Sequence, residues 1–297
     1  MAVIGVDVGG TKVKAGIINR SGEIGSLIQE NTDKASTMEQ IINMIRKLQF
    51  LNPDIEAIGI GTAGRVDYEK GAIYYATSNL PGWTGTPVKD ILQKEFNRPI
   101  VVDNDGNTAA YAEGCVGAAM YLENYICITL GTGVGAGMVV DGSLVRGTMG
   151  GAGEVGHMIL FPNGKSCNCG KRGCWEQYVS GTALQQIIDN DVDLSILANN
   201  PENLFKLSRQ TESWKIRKVV DDYIFHLAVG LTNLQRIFEP DCIVIGGGIL
   251  DSSFAWWDKL ATEVTNYESS IRIEKAQLKN NAGLIGAGLL AYREISL

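Results

Sequence analysis

Three cysteines fall within eight positions in "CNCGKRGCWEQ" (167–177), and His157 stands ten residues upstream of the first of them. Cys167-x-Cys169-x4-Cys174 with His157 makes the Cys3His donor set of a closed tetrahedral zinc site. Such a site has no open position for water or substrate, so the metal would be structural: it would clamp the loop carrying Glu154 to the segment carrying Glu176. A redox dithiol and three unpaired thiols are the other readings of the same spacing. With one ring nitrogen of His157 on the metal, the other could donate to a bound hydroxyl. Cys115, Cys127 and Cys242 stand among apolar residues and read as small core residues, and His226 reads as a packed or surface histidine.

Two glycine turns form the next constellation. "LGTGVGAG" (130–137) contains Gly131-x-Gly133-x-x-Ala136, but the dinucleotide fingerprint requires a helix to follow, and here a strand follows. "DVGGTK" (7–12) likewise fails the pattern of a P-loop. Both turns can still present backbone N–H groups without Cβ obstruction, as anion-binding nests, with Thr11, Lys12 and Thr132 adding donors. For either turn alone, a tight hairpin needing positive φ is an equal reading. Asp7 would repel a phosphate unless Mg²⁺, through water, sat between the two.

The third constellation is "VVDNDGNTAA" (101–110), with Asp103 and Asp105 at a strand-to-helix junction. One carboxylate there suffices as general base toward a hydroxyl; helix capping is the competing reading. Glu154 and His157 in "GEVGH", and Glu176 after Trp175, are groups that accept from or bridge neighbouring hydroxyls of a polyol, although alone each glutamate reads as a surface residue.

The elements that must position these groups follow from periodicity. "VIGVD" (3–7) reads as a buried strand, and "TKVKAGII" as a second, with Val13, Ala15 and Ile17 on one face. A turn at Ser21-Gly22 leads to a third strand. Ser36-Thr37-Met38-Glu39 is a capping box ahead of Ile41, Ile42, Ile45 and Leu48 at helical spacing. Strand 57–61 follows, then a helix opened by Thr86-Pro87 and ending near Asn97, strand 100–103, and a helix from about Gly106 to Ala119. Residues 125–145 repeat the opening: strand, glycine turn, strand, Asp141-Gly142 turn, strand. Gly9 aligns with Gly131 about 120 residues away, which predicts a duplicated domain; chance likeness of two glycine-rich hairpins is the alternative. A long helix through "IRKVVDDYIFHLAVGLTNLQRIF" stops before Pro240, "CIVIGGG" (242–248) is a strand plus turn, and helices are predicted from Ser252-Ser253 and over 283–295.

Composition bounds the function. The 297 residues are 45% hydrophobic and 20% charged, enough for a substantial core, with 36 glycines grouped at a few places. The net charge of −7 and pI near 5.0, with Lys and Arg scattered, argue against nucleic acid as partner. No apolar run reaches the ~18 residues of a membrane span and no secretion signal opens the chain, so a cytoplasmic protein with reduced or metal-bound cysteines is expected.

The strand-"DVGGTK"-strand unit, its echo "LGTGVGAG" and the later "IGGGI" together resemble the sugar kinase/actin/heat-shock-protein ATPase superfamily. "GGAGEVGH" followed by "CNCGKRGCWE" resembles the ROK family of bacterial sugar kinases and sugar-responsive repressors, a likeness that covers essentially the whole chain. The resemblance implies an α/β fold of two duplicated actin-like (ribonuclease H-like) domains with an interdomain cleft. The expected domains are a small one over 1–119, joined by a C-terminal helix at 284–297, and a larger one over 120–283 holding the zinc segment 157–174. It implies that Gly9, Gly10, Thr11 and Lys12, with Gly131, Thr132 and Gly133, contact phosphates, and that Gly246, Gly247 and Gly248 lie against adenosine. Asn79, Asn104, Glu154, His157 and Glu176 would bind the hexose, Asp105 would be the base, and Asp103 is left structural.

The implied function is transfer of phosphate from ATP, with Mg²⁺ and a structural Zn²⁺, to the 6-hydroxyl of a hexose, glucose being the expected acceptor, by a cytoplasmic homodimer. N-acetylmannosamine, N-acetylglucosamine and a β-glucoside are the alternative acceptors, and polyphosphate the alternative donor. The intact cysteine cluster departs from the family's fructokinases. A sugar-responsive repressor is the rival from another class; it would carry a helix-turn-helix domain before the first strand. An actin-like filament protein would leave Glu154, His157 and Glu176 unexplained. Because Gly9 and Gly131 are remote from the cysteines in sequence, loss of zinc is expected to cost sugar affinity and spare the nucleotide.

Overall fold

The computed structural model describes residues 2–210 and 212–296; Met1 and Leu297, outer bounds of the expected first domain, lie outside the described residues. In chain order the first elements are β1 (Ala2–Val8), β2 (Lys12–Ile18), β3 (Ile24–Asn31), α1 (Thr37–Leu51), β4 (Ile55–Thr62), β5 (Arg65–Asp67) and β6 (Ala72–Tyr75). Then come α2 (Val88–Phe96), β7 (Ile100–Asn104), α3 (Asp105–Val116), β8 (Tyr125–Leu130), β9 (Val134–Val140) and β10 (Ser143–Leu144). The remainder is largely helical: α4 (Glu176–Val179), α5 (Gly181–Asp189), α6 (Val192–Leu197), α7 (Pro201–Ser208) and α8 (Trp214–Phe238). It closes with β11 (Cys242–Gly246), α9 (Trp257–Tyr267), β12 (Ile273–Lys275) and α10 (Ala282–Glu294).

By contacts the chain divides into two compact units, one of residues 1–123, 137–153 and 280–297, the other of 124–136 and 154–279. The first unit holds a five-stranded sheet in the order β3-β2-β1-β4-β7, antiparallel from β3 to β1 and parallel from β1 to β7. A second five-stranded sheet has the order β10-β9-β8-β11-β12, the same sequence of hairpin strands and parallel additions; β9 crosses the division, with 134–136 in the second unit.

The first unit's core is built from Ile4, Val6, Val13, Ala15, Ile58 and Ile60 of the sheet against Ile41, Met44, Ile45 and Leu48 of α1, all essentially without solvent exposure. Strands buried on both faces read as continuous apolar runs, which is why β1 and β4 show no alternation. The other face takes α10, at unusually close range: a Cβ on Gly59 would run into the Ala287 carbonyl, and one on Gly5 into that of Leu284. Only glycine admits the helix so near the sheet.

Local rules failed at a few places. Ser36 does not cap α1 through its side chain; its hydroxyl instead donates to Asp33 Oδ2 at 2.5 Å, and Asp33 Oδ1 accepts from the backbone N–H of Ala35 at 3.0 Å. The β2–β3 pairing shifts register between Gly16 and Ile18, but β2 keeps its alternation against β1: Ile17 packs with Val13 and Ala15 on the core under α1, and Ile18 is buried on the other face against α10. Helix α3 stops at Val116, where the buried Glu113 carboxylate accepts from Ala118 N at 2.7 Å and takes over the chain end. Cys115 is exposed, because the buried face of α3 is set by Ala109, Ala112 and Glu113. Ser252 and Ser253 are buried in a 3-10 turn over Gly248–Ala255, and the α-helix starts later, at Trp257.

Candidate functional site

In the first unit β1 carries Asp7 at its C-terminal end, directly across from Lys14 on β2. Asp7 is largely enclosed, and its pKa rises from 3.8 to about 7, chiefly because burial penalises the charge and then because Asp105 is near; Lys14 pulls the other way. Burial in turn holds the Lys14 ammonium below its ordinary value. Lys14 Nζ donates to the Asn280 carbonyl and, at 3.2 Å, to Asn281 Oδ1, the residues that precede α10, and a Cβ on Gly283 would lie 3.0 Å from the Asp7 carboxyl carbon.

The turn after Asp7 is a braced one. Gly9 N donates to Lys12 O at 2.9 Å, while Thr32 holds the turn from β3's end, its hydroxyl donating to Gly9 O at 2.7 Å and its N–H to Thr11 O at 3.0 Å. Thr11 and Lys12 are exposed, and Asn79 packs on the turn, within 3.2 Å of where a Gly10 Cβ would stand.

At the end of β7 the three residues Asp103, Asn104 and Asp105 divide the work. Asp103, 2% exposed, accepts from Asn104 N, Asn107 Nδ2 and the Arg146 guanidinium, each at 2.8 Å. Arg146 also stacks 3.7 Å from the centre of the Tyr68 ring. Asn104 is the N-cap of α3: its Oδ1 accepts from Gly106 N and Asn107 N at 2.8 and 3.2 Å. Its Nδ2 donates to Gly64 O at 2.9 Å and Asp105 Oδ1 at 3.0 Å. The capping role weighed for an aspartate thus falls to Asn104, and Asp105 is fixed through Oδ1 by Asn104 Nδ2 and by Gly106 N at 2.9 Å. A carboxylate anchored through Oδ1 at the positive end of a helix is held in a fixed orientation, which is what a positioned base requires.

In the second unit Glu154 precedes a 3-10 turn over Val155–His157, and Gly156 presses so closely on Val134 O that a side chain could not fit. His157 Nε2 lies 3.6 Å from Glu154 Oε2 and its Nδ1 3.7 Å from Cys167 Sγ. Cys169 Sγ and Cys174 Sγ are 3.6 Å apart, and all four donor atoms lie within 4.8 Å of one another. A tetrahedral ion with Zn–S near 2.3 Å and Zn–N near 2.0 Å requires edges of about 3.5–3.8 Å; the His157–Cys167 and Cys169–Cys174 separations lie close to that range, and the donor types are those of zinc. The thiols alone sit uneasily together: Cys174 is pushed up to about 12, by burial and then by its two cysteine neighbours, a situation a dication reverses.

Glu176 is no isolated surface carboxylate. Its Oε2 accepts from Val134 N at 2.9 Å, the first residue after the Gly131–Gly133 turn. That turn is further tied by Gly131 N to Gly133 O at 3.0 Å, and its carbonyl at Gly131 accepts from Gly181 N at 2.7 Å. Gly246 ends β11, Gly247 takes φ 89° beside the Leu130 backbone, and Gly248 opens the 3-10 turn. Gly131, Thr132 and Gly248 border a cavity of about 570 Å³ whose other walls include Gln185, Glu202, Phe205 and Asp251.

The ROK family profile matches residues 3–294. The chain belongs to the ROK family. It is 34% identical to the glucokinase of Streptomyces coelicolor over 97% of this chain and 96% of that protein. Among solved structures, a ROK family glucokinase from Streptomyces griseus in complex with glucose and AMPPNP superposes with a TM-score of 0.87 at 31% identity, covering 99% of this chain and all of that one. The xylose repressor of Bacillus subtilis is 28% identical over 95% of this chain and 75% of its own length. The mixed α/β architecture with its two five-stranded sheets is the actin-like ATPase fold of ROK sugar kinases.

Within each unit the fold gathers residues that are scattered in sequence. Asp7, Gly9–Lys12, Asn79, Asn104 and Asp105 belong to the first unit; Gly131–Gly133, Glu154, His157, the cysteines, Glu176 and Gly246–Gly248 belong to the second. Sequence reasoning missed Arg146, which sits 43 residues from its partner Asp103, and Thr32, a brace supplied from the far end of β3. It also missed the cavity wall from α5 and α7, where Asn200-Pro201 signalled a helix start but not what the helix lines.

Proposed function

We propose that this ROK protein is an ATP-dependent hexose kinase acting on the 6-hydroxyl, with glucose as acceptor. The observation that carries the reading is Asp105, a carboxylate held at one oxygen by Asn104 and Gly106 at the start of α3, in the unit that also carries the Asp7–Lys12 turn. Family membership and the likeness to Streptomyces glucokinases support it.

In this reading the hexose 6-hydroxyl gives its proton to Asp105 as its oxygen attacks the γ-phosphorus in line. The bond from that phosphorus to the β,γ-bridging oxygen breaks, and ADP carries away the electron pair. The backbone N–H groups of Gly10 and Thr11 with the Lys12 ammonium in the first turn, and Thr132 and Gly133 in the second, hold phosphate oxygens, Gly9 N being spent on Lys12 O. Asn79, Asn104, Glu154, His157 and Glu176 are assigned to the hexose, the amide of Asn104 acting largely by fixing Asp105. Asp7, an enclosed carboxylate beside a second one, is the residue that would hold Mg²⁺, which supplies charge neutralisation of the phosphates. His157, Cys167, Cys169 and Cys174 would hold Zn²⁺ as a cross-link without an open position.

The test is a panel of glucose, mannose, N-acetylmannosamine, N-acetylglucosamine and a β-glucoside with Mg·ATP, the products identified by phosphorus NMR. Glucose 6-phosphate as the fastest-formed product is expected. Another acceptor turned over faster would keep the kinase and replace its sugar. Sugar binding without transfer to any acceptor would refute the kinase and favour a regulator, the reading that the likeness to the xylose repressor supports.

A further inference from the structure

The ion pair at the end of β7 leads step by step to Asp105. Asp103, 2% exposed, turns its two oxygens to different partners. Oδ1 accepts from Asn104 N and from Asn107 Nδ2, both at 2.8 Å. Oδ2 faces Arg146, whose Nε donates to it at 2.8 Å and whose Nη2 stands at the same distance. The backbone N–H that Oδ1 holds belongs to the N-cap of α3, and the side chain of that same Asn104 donates through Nδ2 to Asp105 Oδ1 at 3.0 Å. Arg146, Asp103, Asn104 and Asp105 are thus consecutive links of one hydrogen-bonded chain within the first unit.

The guanidinium at the head of the chain is held in its own right. Its carbon lies 3.7 Å from the centre of the half-buried Tyr68 ring, a stacking that fixes its plane. The backbone behind it is seated too: Ala152 N donates to Arg146 O at 3.1 Å, and Gly150, at φ 62°, lies so close to the Val66 carbonyl of β5 that a Cβ would overlap it. A buried ion pair adds little net stability over apolar residues of the same size, so four directed contacts on one carboxylate ask for another use.

We propose that Arg146 is a positioning residue for the base: through Asp103 it fixes Asn104, and through Asn104 the orientation of the Asp105 carboxylate. The proposal rests on the kinase reading above, in which Asp105 is that base. Without the guanidinium, a carboxylate as enclosed as Asp103 would turn toward solvent. Asn104 N and Asn107 Nδ2 would lose their acceptor, and the first turn of α3 would shift under Asp105. Arg146 is assigned to neither substrate, so its loss should act on the transfer step more than on binding. Displacing a reacting group by about 1 Å costs about 10²-fold in rate.

Steady-state kinetics with Mg·ATP and the fastest acceptor of the sugar panel test this. Arg146→Met should lower kcat about 10- to 100-fold and move neither KM more than about threefold. Arg146→Lys keeps the charge but cannot lay a plane on Tyr68, and its kcat should fall between. The measurement that a merely structural role would not pass is the double variant: in an Asp105→Asn background, Arg146→Met should lower kcat by less than about threefold further, because the base it positions is already gone. Far-UV circular dichroism checks that each variant folds, and Arg146→Lys takes the place of Arg146→Met in the cycle if the latter does not. A kcat effect as large in the Asp105→Asn background as in the wild type would overturn the proposal, as would a loss confined to KM. Wild-type kcat in Arg146→Met and Arg146→Lys beside a crippled Asp105→Asn would sink the proposal alone. Wild-type kcat in Asp105→Asn would remove the base from the kinase reading, and the proposal with it.

Discussion

Asp7 should be a residue whose charge costs the ligand-free protein stability. Its pKa is raised from 3.8 to about 7, first by burial and second by Asp105. A carboxyl with a raised folded-state pKa binds more protons folded than unfolded between those two values, so its contribution falls as pH rises through that window. Below about pH 4 both states are protonated and nothing is lost. Above 7 both are charged, and at about 1.4 kcal/mol per unit the full penalty approaches about 4 kcal/mol; at pH 5 only about 2 kcal/mol has accrued. Asp7→Asn removes the charge and keeps the shape, so it should stabilise the ligand-free protein, and more at pH 8 than at pH 5. For units of this size the shift corresponds to up to about 10 °C in Tm at pH 8. Thermal melts of wild type and variant at the two pH values, without Mg²⁺ or nucleotide, read it directly. Turnover should move the opposite way, since the same carboxylate is the one assigned to Mg²⁺. A variant no more stabilised at pH 8 than at pH 5 would refute the electrostatic argument, whatever happens to activity.

Other outcomes follow from the same geometry. Asp105→Asn should lower kcat by about 10²–10⁴ at near-unchanged sugar KM, measured by steady-state kinetics. Arg146→Met leaves Asp103, 2% exposed, without its cation and should cost about 3 kcal/mol, seen as a lower urea midpoint. Glu154→Gln should raise sugar KM with little effect on ATP, whereas Glu176→Gln should raise both, because Glu176 also holds Val134 N. The protein should contain one zinc per chain by elemental analysis, and Cys169→Ser should lose it.

Much of the scaffold was legible because its signals are local. The glycine hairpins, the helix stop at Pro240 and the strand of Cys242–Gly246 all rest on periodicity and turn chemistry within a dozen residues. Where local rules failed, a non-local or competing partner decided. Asp33 takes the Ser36 hydroxyl that would have capped α1. The clustering of His157 with Cys167, Cys169 and Cys174 could be read because donor type and spacing suggest it, and the fold brings these atoms together without a covalent bridge. The roles of Asn104 and Asp105 could not be separated from sequence: which of two adjacent polar residues caps a helix depends on one backbone step, and the structure gives Asn104 the cap. Arg146 and the cavity wall carry no sequence signature, since each depends on residues brought together from distant segments.

Sequence distance also hides how far the Cys3His cluster reaches. The cluster ends at Cys174, Trp175 follows, fully buried with its indole N–H donating to His226 O at 2.8 Å, and Glu176 comes next with Oε2 on Val134 N. Gly230 on α8 leaves room for that indole: a Cβ there would overlap the Trp175 ring. Cys174, Trp175 and Glu176 are therefore one short lever, held at one end by the Cys3His cluster and in the middle by α8, with its tip on the residue that follows the Gly131–Gly133 turn. Loosening the metal end leaves the indole anchor, so the turn should slacken rather than unfold. That argues against the expectation that zinc loss spares the nucleotide. Cys169→Ser should weaken sugar and ATP together, sugar more, because His157 is itself one of the four donors and Glu154 lies 3.6 Å from its ring. Separate titrations of the two ligands decide it: an ATP affinity unchanged by metal loss would mean that Trp175 alone holds Glu176 in place.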